Sequence, residues 1–299
     1  MSNALSNTQI ITLQKPAESQ TRVIWRQFRR HRLALIGGII MLLLVLISIF
    51  ADQITPYDPN AINSDYARGK PVAPSAEYAL GTDNYGRDYL SRTIVGVRIS
   101  LVVGITAVAF QLTIGVTVGA LAGYFGGWLD NLLMRVTDIF FSVPAFLLLL
   151  IVTGILGGGL VALIFAIGAL NWMTVARIVR AEFLSLKERE FVLAGRSIGV
   201  PTWRLIIVYL LPNTAGSIIV AATLAVPNAI LTESALSFLG LGVPPPHATL
   251  GKMLGEAQQW VRMSWWMWIV PGVAISLIVL AFNFVGDGLR DALDPQLRD

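Results

Sequence analysis

A chain of 299 residues that is 55% hydrophobic, only 13% charged and of mean hydropathy +0.68 falls well below the ~25% charged content of soluble domains, which excludes an ordinary water-soluble enzyme and makes lipid the main solvent. The net charge of +4 does not point to nucleic acid, because the basic residues cluster beside apolar runs. With no cysteine, disulfides, thiolate nucleophiles and cysteine-ligated metals are excluded as well.

The tail before residue 33 holds Lys15, Arg22, Arg26, Arg29, Arg30 and Arg32 against Glu18 alone, which by the positive-inside rule places residues 1–32 in the cytoplasm. The charge-free run over 33–50 is longer than a signal-peptide core, and Phe50-Ala51-Asp52 offers no small-residue cleavage pattern. It reads as a retained first transmembrane helix over 33–53. Residues 54–97 follow as an external segment, rich in proline (Pro56, Pro59, Pro71, Pro74) and too short to bury much core of its own.

Four more charge-free runs cover 99–129, 139–176, 205–232 and 263–286, each long enough to span a bilayer. The 38 residues from 139 would reach about 57 Å as one helix, nearly twice the ~30 Å hydrocarbon core. That run must fold back, and Gly157-Gly158-Gly159 is the place where a tight turn is cheapest. The sequence thus predicts an all-α, polytopic membrane protein with six transmembrane helices. Its core over 98–287 carries helices near 99–123, 132–154, 159–179, 205–231 and 266–286. Six spans place residues 177–204, with six basic residues against Glu182, Glu188 and Glu190, in the cytoplasm together with a tail over 288–299.

Within the cytoplasmic segment, Ser185-Leu-Lys-Glu188 reads as a capping box and Gly199 with Pro201 as a stop, predicting a helix over 186–198. Ala194, Gly195 and Gly199 are small enough for another surface to approach closely, with Phe191 and Ile198 as apolar contacts. A docking element and a plain capped linker both fit this pattern. Glu233, at the end of the fifth apolar run, either faces a water-filled path or marks the membrane interface. Asp138 beside Arg135 reads as a positional ion pair, Asp287, Arg290, Asp291 and Asp294 as anchors of the tail, and His247 as a solvated residue. Trp260, Trp265, Trp266 and Trp268 suit a headgroup region. The segment over 240–260 has too many prolines for a full helix and too few apolar residues for a span.

No phosphate-binding Gly-x-x-x-x-Gly-Lys-Ser/Thr loop occurs, since Gly251-Lys252-Met253 lacks the preceding glycine and the hydroxyl. Neither a His-Glu-x-x-His zinc helix nor an ordered Ser, His and Asp set is present, so no catalysis is expected from this chain.

Several ordered motifs resemble the inner-membrane permease subunits of ABC importers, in particular the second permease of the dipeptide, oligopeptide and nickel branch. They are Leu80-Gly-Thr-Asp-Asn-Tyr-Gly-Arg-Asp88, Phe141-Ser-Val-Pro144, Ala194-Gly195 with Gly199 and Leu211-Pro212, Ser237-Phe-Leu-Gly-Leu-Gly242, and Phe282-Asn-Phe-Val-Gly-Asp-Gly-Leu-Arg-Asp-Ala-Leu-Asp-Pro295. The resemblance runs from about residue 22 to the end. It departs from the family pattern at Leu193, where a glutamate usually stands, and at Gly195, where a second alanine does.

The resemblance implies the type I importer permease fold. It also implies a homologous second permease as heterodimer partner, two ATPase subunits and an external solute-binding protein. The chain itself would hold no cofactor, ATP and Mg²⁺ being bound by the ATPases. Glu190, Phe191, Ala194, Gly195, Ile198 and Gly199 would couple to an ATPase. Glu233, Ser237, Phe238, Gly240 and Gly242 would line the path or form a gate, and Gly81, Asp83, Gly86, Arg87 and Asp88 form the external motif. The implied substrates are short peptides, with nickel chelates or glutathione-like compounds as alternatives. The implied location is the bacterial inner membrane. A secondary transporter stays open as another class, although paired discontinuous helices in two related halves are not evident.

Overall fold

The computed structural model describes residues 20–66 and 69–293, the first five by backbone alone. Lys15, Glu18, Asp294 and Pro295 lie outside the described residues.

Helix α1 (Gln20–Arg30) is followed by α2 (Arg32–Ile49), which starts where the His31 imidazole Nδ1 accepts from the Ala34 amide at 3.1 Å. A single turn, α3 (Ala51–Ile54), leads into irregular chain that ends at α4 (Tyr89–Phe125). This long helix begins ten residues before the start expected at 99, so the segment expected over 54–97 is non-helical only as far as 88. The early start has two causes. Asp88 caps α4 by accepting from the Ser91 amide at 2.8 Å, and the charges that interrupt the apolar run are paired within the protein, Arg98 with Asp52 at 2.8 Å.

The helix expected over 132–154 is instead two helices, α5 (Gly127–Ser142) and α6 (Ala145–Ile155), bent by 88°. Proline causes the break. Pro144 has no amide to donate, and Val143 before it is driven to extended geometry at φ −99°, ψ 135°. Gly157, Gly158 and Gly159, with φ of 77°, 73° and 94°, then make the expected reversal. Helices α7 (Leu160–Ala169) and α8 (Trp172–Leu186) continue as one apolar stretch of 27 residues.

The short α9 (Glu190–Ser197) replaces the helix expected over 186–198. Ser185 belongs to the last turn of α8, where no amide is left unpaired, so the expected capping box does not form. The stop does form as a Schellman motif. Gly199, at φ 77°, donates to the Arg196 carbonyl at 3.0 Å, and Val200 to that of Gly195 at 3.0 Å.

After α10 (Thr202–Arg204) the backbone widens into a π-helical turn over Leu205–Leu210 before α11 (Leu211–Phe238). Pro212, which has no amide for the preceding turn, accounts for the widening. Finally α12 (Leu250–Ala257), inside the proline-rich segment, precedes α13 (Trp265–Leu293). Among the described residues five helical stretches are long and apolar enough to cross a membrane, and the bent α5–α6 pair makes a sixth.

The main core lies where α4, α7, α11 and α13 meet, around Leu101, Ala107, Leu163, Ile167, Ile230 and Ile278. Lipid provides little drive to bring helices together, so close backbone approach matters more than side-chain volume. Gly115, Gly119 and Gly123 form a four-residue-spaced stripe on α4 that seats α8. A Cβ at these positions would come within 2.7 Å of Val175 Cβ, 2.5 Å of the Ala176 carbonyl and 2.6 Å of Phe183 Cβ. The result is a bundle with α9 at one end and α12 at the other.

Candidate functional site

At the α12 end, the 80–88 motif folds into a tight turn that caps α4. Gly81 and Gly86 sit at φ 72° and 76°, and a Cβ on Gly81 would overlap the Val72 carbonyl. Asp83 is fully buried. One carboxylate oxygen accepts from the amides of Tyr85 at 2.8 Å and Arg87 at 3.0 Å, while the other lies 2.6 Å from Arg87 Nε and 3.4 Å from Arg92 Nε. Arg92 is also fully buried, 3.5 Å from Glu256 on α12, and donates to the Pro59 carbonyl at 3.3 Å. Asp83, Arg87, Asp88 and Arg92 are thus committed to tying the turn, α4 and α12 together.

Glu233 is fully buried in α11. Its carboxylate accepts from the hydroxyls of Ser237 at 2.7 Å, Ser100 at 3.1 Å and Ser234 at 3.4 Å. This knot pins α11 to α4 and satisfies a group that would otherwise be costly in the membrane. Gly242 rests directly on Ser237, where a Cβ would overlap the hydroxyl, and its carbonyl accepts from the Gly159 amide at 3.0 Å. The α6–α7 turn and the loop after α11 are therefore one unit. Gly240 takes φ 85°, and Phe238 is partly exposed beside it.

Helix α12 packs Met253 and Ala257 against Tyr89, Trp266 and Met267. The Tyr89 hydroxyl donates to the Met267 carbonyl at 2.6 Å, and the Trp266 indole to that of Thr82 at 3.3 Å. Trp266 is thus an internal anchor, whereas Trp265 and Trp268 remain exposed. Asp138 pairs with Arg177 of α8 at 2.7 Å rather than with the expected neighbour Arg135, because the α5 turn presents it to α8.

At the other end, α9 exposes Glu190, Phe191, Leu193, Ala194 and Ile198, the last at 79%. Gly195 does not share that face. It is buried, and a Cβ there would sit 3.0 Å from Leu205, so its small size serves packing within the chain. Gly199 is exposed with open space around it, and its positive φ is what demands glycine. Arg196 lies over the Tyr124 ring at 5.3 Å and holds α9 against the end of α4.

Between α4, α8 and α11 lies a cleft of about 270 Å³ lined by Gln111, Asn171, Thr174, Asn228 and Thr232 among apolar residues. Two asparagines and a glutamine inside charge-free runs were the available signal. Among the described residues no group of three or more His, Asp or Glu side chains could hold a metal ion.

Residues 115–299 match the family model described as binding-protein-dependent transport system inner membrane component, and residues 19–74 match the N-terminal transmembrane domain of oligopeptide transport permease C. The chain is 41% identical to the dipeptide transport system permease protein DppC of Alkalihalophilus pseudofirmus, over 95% of this chain and 93% of the relative. It is 43% identical to the oligopeptide transport system permease protein OppC of Bacillus subtilis, over 91% and 88%. An inward-facing structure of the MetNI methionine ABC transporter shares the fold, with a TM-score of 0.57 and 21% identity over 69% of this chain and 97% of the other. The chain has the type I ABC importer permease fold and is a multi-pass inner-membrane transport subunit that belongs to the family of binding-protein-dependent transport system inner membrane components.

Proposed function

We propose that the chain is the second permease of an ATP-driven importer of short peptides. It pairs with a homologous permease, rests on two ATPases that hold ATP and Mg²⁺, and receives solute from an external binding protein. Identity of about 40% to peptide permeases over nearly the whole chain supports the substrate class. The basic segments beside the spans support cytoplasmic termini and a cytoplasmic α9. A reporter fused after Pro201 should then read cytoplasmic and one after Asp65 external. An external reading at Pro201 would overturn this topology.

The observation that carries the coupling role is α9 itself. Phe191, Leu193 and Ile198 are exposed on a short helix at the bundle's end, a patch that a partner surface would cover. Glu190 and Ala194 share this surface, while Gly195 and Gly199 set the shape of the helix and its stop. At the opposite end the Glu233 and Ser237 knot, with Phe238, Gly240 and Gly242, forms the outer gate region. ATP binding must supply the free-energy difference between inward-facing and outward-facing states.

The test is Gly199→Trp, which forces a bulky residue into a left-handed conformation at a cost of ~1–2 kcal/mol and places an indole at the contact. Membrane abundance should stay near normal while copurified ATPase and solute uptake fall. Full ATPase complement with full uptake would reduce α9 to a linker.

A further inference from the structure

The cleft between α4, α8 and α11 contains no ionisable side chain. Gln111 is 6% exposed, lines the cleft, and its carboxamide makes no hydrogen bond to the described residues. Its amide atoms are not sealed inside the protein but open to the cleft, and a carboxamide at membrane depth is costly unless something polar reaches it there. Asn171 donates Nδ2 to the Ile167 carbonyl at 2.7 Å and Asn228 donates Nδ2 to that of Leu224 at 3.2 Å, so both amide oxygens are left to accept elsewhere. The remaining lining, including Ile167, Val175 and Leu224, is apolar.

We propose that this cleft is a contact site for the transported solute, at which Gln111, Asn171 and Asn228 hydrogen-bond the peptide backbone as it passes. The inference rests on the peptide-importer reading above and adds where, and by which chemistry, the permease itself meets the peptide. Carboxamides offer donor and acceptor together, which matches the N–H and C=O that all peptides share. The absence of charge makes the contact indifferent to the peptide's side chains and weak enough to release it. At about 270 Å³, the cleft is slightly below the ~300–1,000 Å³ of small-molecule sites, as fits one wall of a path closed by a second permease.

The test gives the cleft a charge. In cells producing the complete importer, uptake of dilysine and diglutamate is compared for the native chain, Gln111→Glu and Asn228→Asp. The second variant lies at an exposed position and keeps the test decisive if the first fails to insert. A carboxylate close to the passing peptide should shift the uptake ratio toward dilysine about tenfold, at unchanged membrane abundance. A purely structural role would lower both uptakes together. An unchanged ratio at normal abundance overturns the contact site alone. If the native importer takes up neither dipeptides nor longer short peptides, the peptide reading falls and this inference falls with it.

Discussion

At the α12 end every charged side chain of the capping turn, Asp83, Arg87, Asp88 and Arg92, is buried against a partner. At the α9 end, Phe191, Leu193 and Ile198 stand exposed on an eight-residue helix with no side-chain N-cap. One end completes itself, and the other leaves apolar side chains uncovered. Substitutions at the two ends should therefore separate, the first costing the fold and the second costing assembly.

The largest effect is expected from Asp83→Ala. Two buried guanidinium groups would lose their shorter contacts and keep only Glu256, at 3.8 and 3.5 Å, and breaking a buried pair costs ~3–5 kcal/mol. Membrane abundance, read by immunoblot, should collapse. Normal abundance would show that the cluster is not what holds the α12 end.

Gly119→Val comes next, because a side chain against the Ala176 carbonyl must push α8 away, an overpacking cost of ~1–3 kcal/mol. Its signature is a lower unfolding temperature in detergent, with ATPase binding reduced only as far as folded protein is lost. Ile198→Ala should leave that temperature within the ~0.5 kcal/mol typical of surface changes, yet reduce copurified ATPase several-fold. If Ile198→Ala lowered stability instead, the contrast between the ends would be wrong. Leu43→Ile, on an exposed face of α2, should change neither quantity and serves as the baseline.

The number of spans was legible because apolar length against bilayer thickness is a strong constraint, and the Gly157–Gly159 reversal was legible because one run was too long to be one helix. The bend at Pro144 was not, since the proline sits inside a run whose hydropathy stays high on both sides. Ser185-x-x-Glu188 misled because a capping pattern is local, whereas α8 runs on past Ser185 to Leu186 on the strength of Val179 and Phe183 packed against α4. Gly195 was read as part of an outward face, yet at ~100° per residue a step of one position, from exposed Ala194 to buried Gly195, changes the side. The Gly115, Gly119 and Gly123 stripe was visible as spacing but carried no meaning until α8 was placed beside it. Gln111, Asn171 and Asn228 were hidden for another reason: a search for charge does not register neutral amides.

The hydrogen bond from the Gly159 amide to the Gly242 carbonyl has a mechanical consequence. The stretch formed by α7 and α8 and the stretch formed by α10 and α11 are joined by chain through α9 at one end and clasped by this bond at the other. They make a closed frame rather than two free legs. A frame of this kind answers a push on its base by tilting as a whole instead of splaying. Pivoting about its middle, ~20 Å from either end of a 27-residue leg at 1.5 Å per residue, the frame turns a displacement of about 3 Å at α9 into a tilt of roughly 9° and an equal, opposite shift at the far rim. Such a tilt needs no melting of either helix, so a small motion at the base reaches the far rim undiminished.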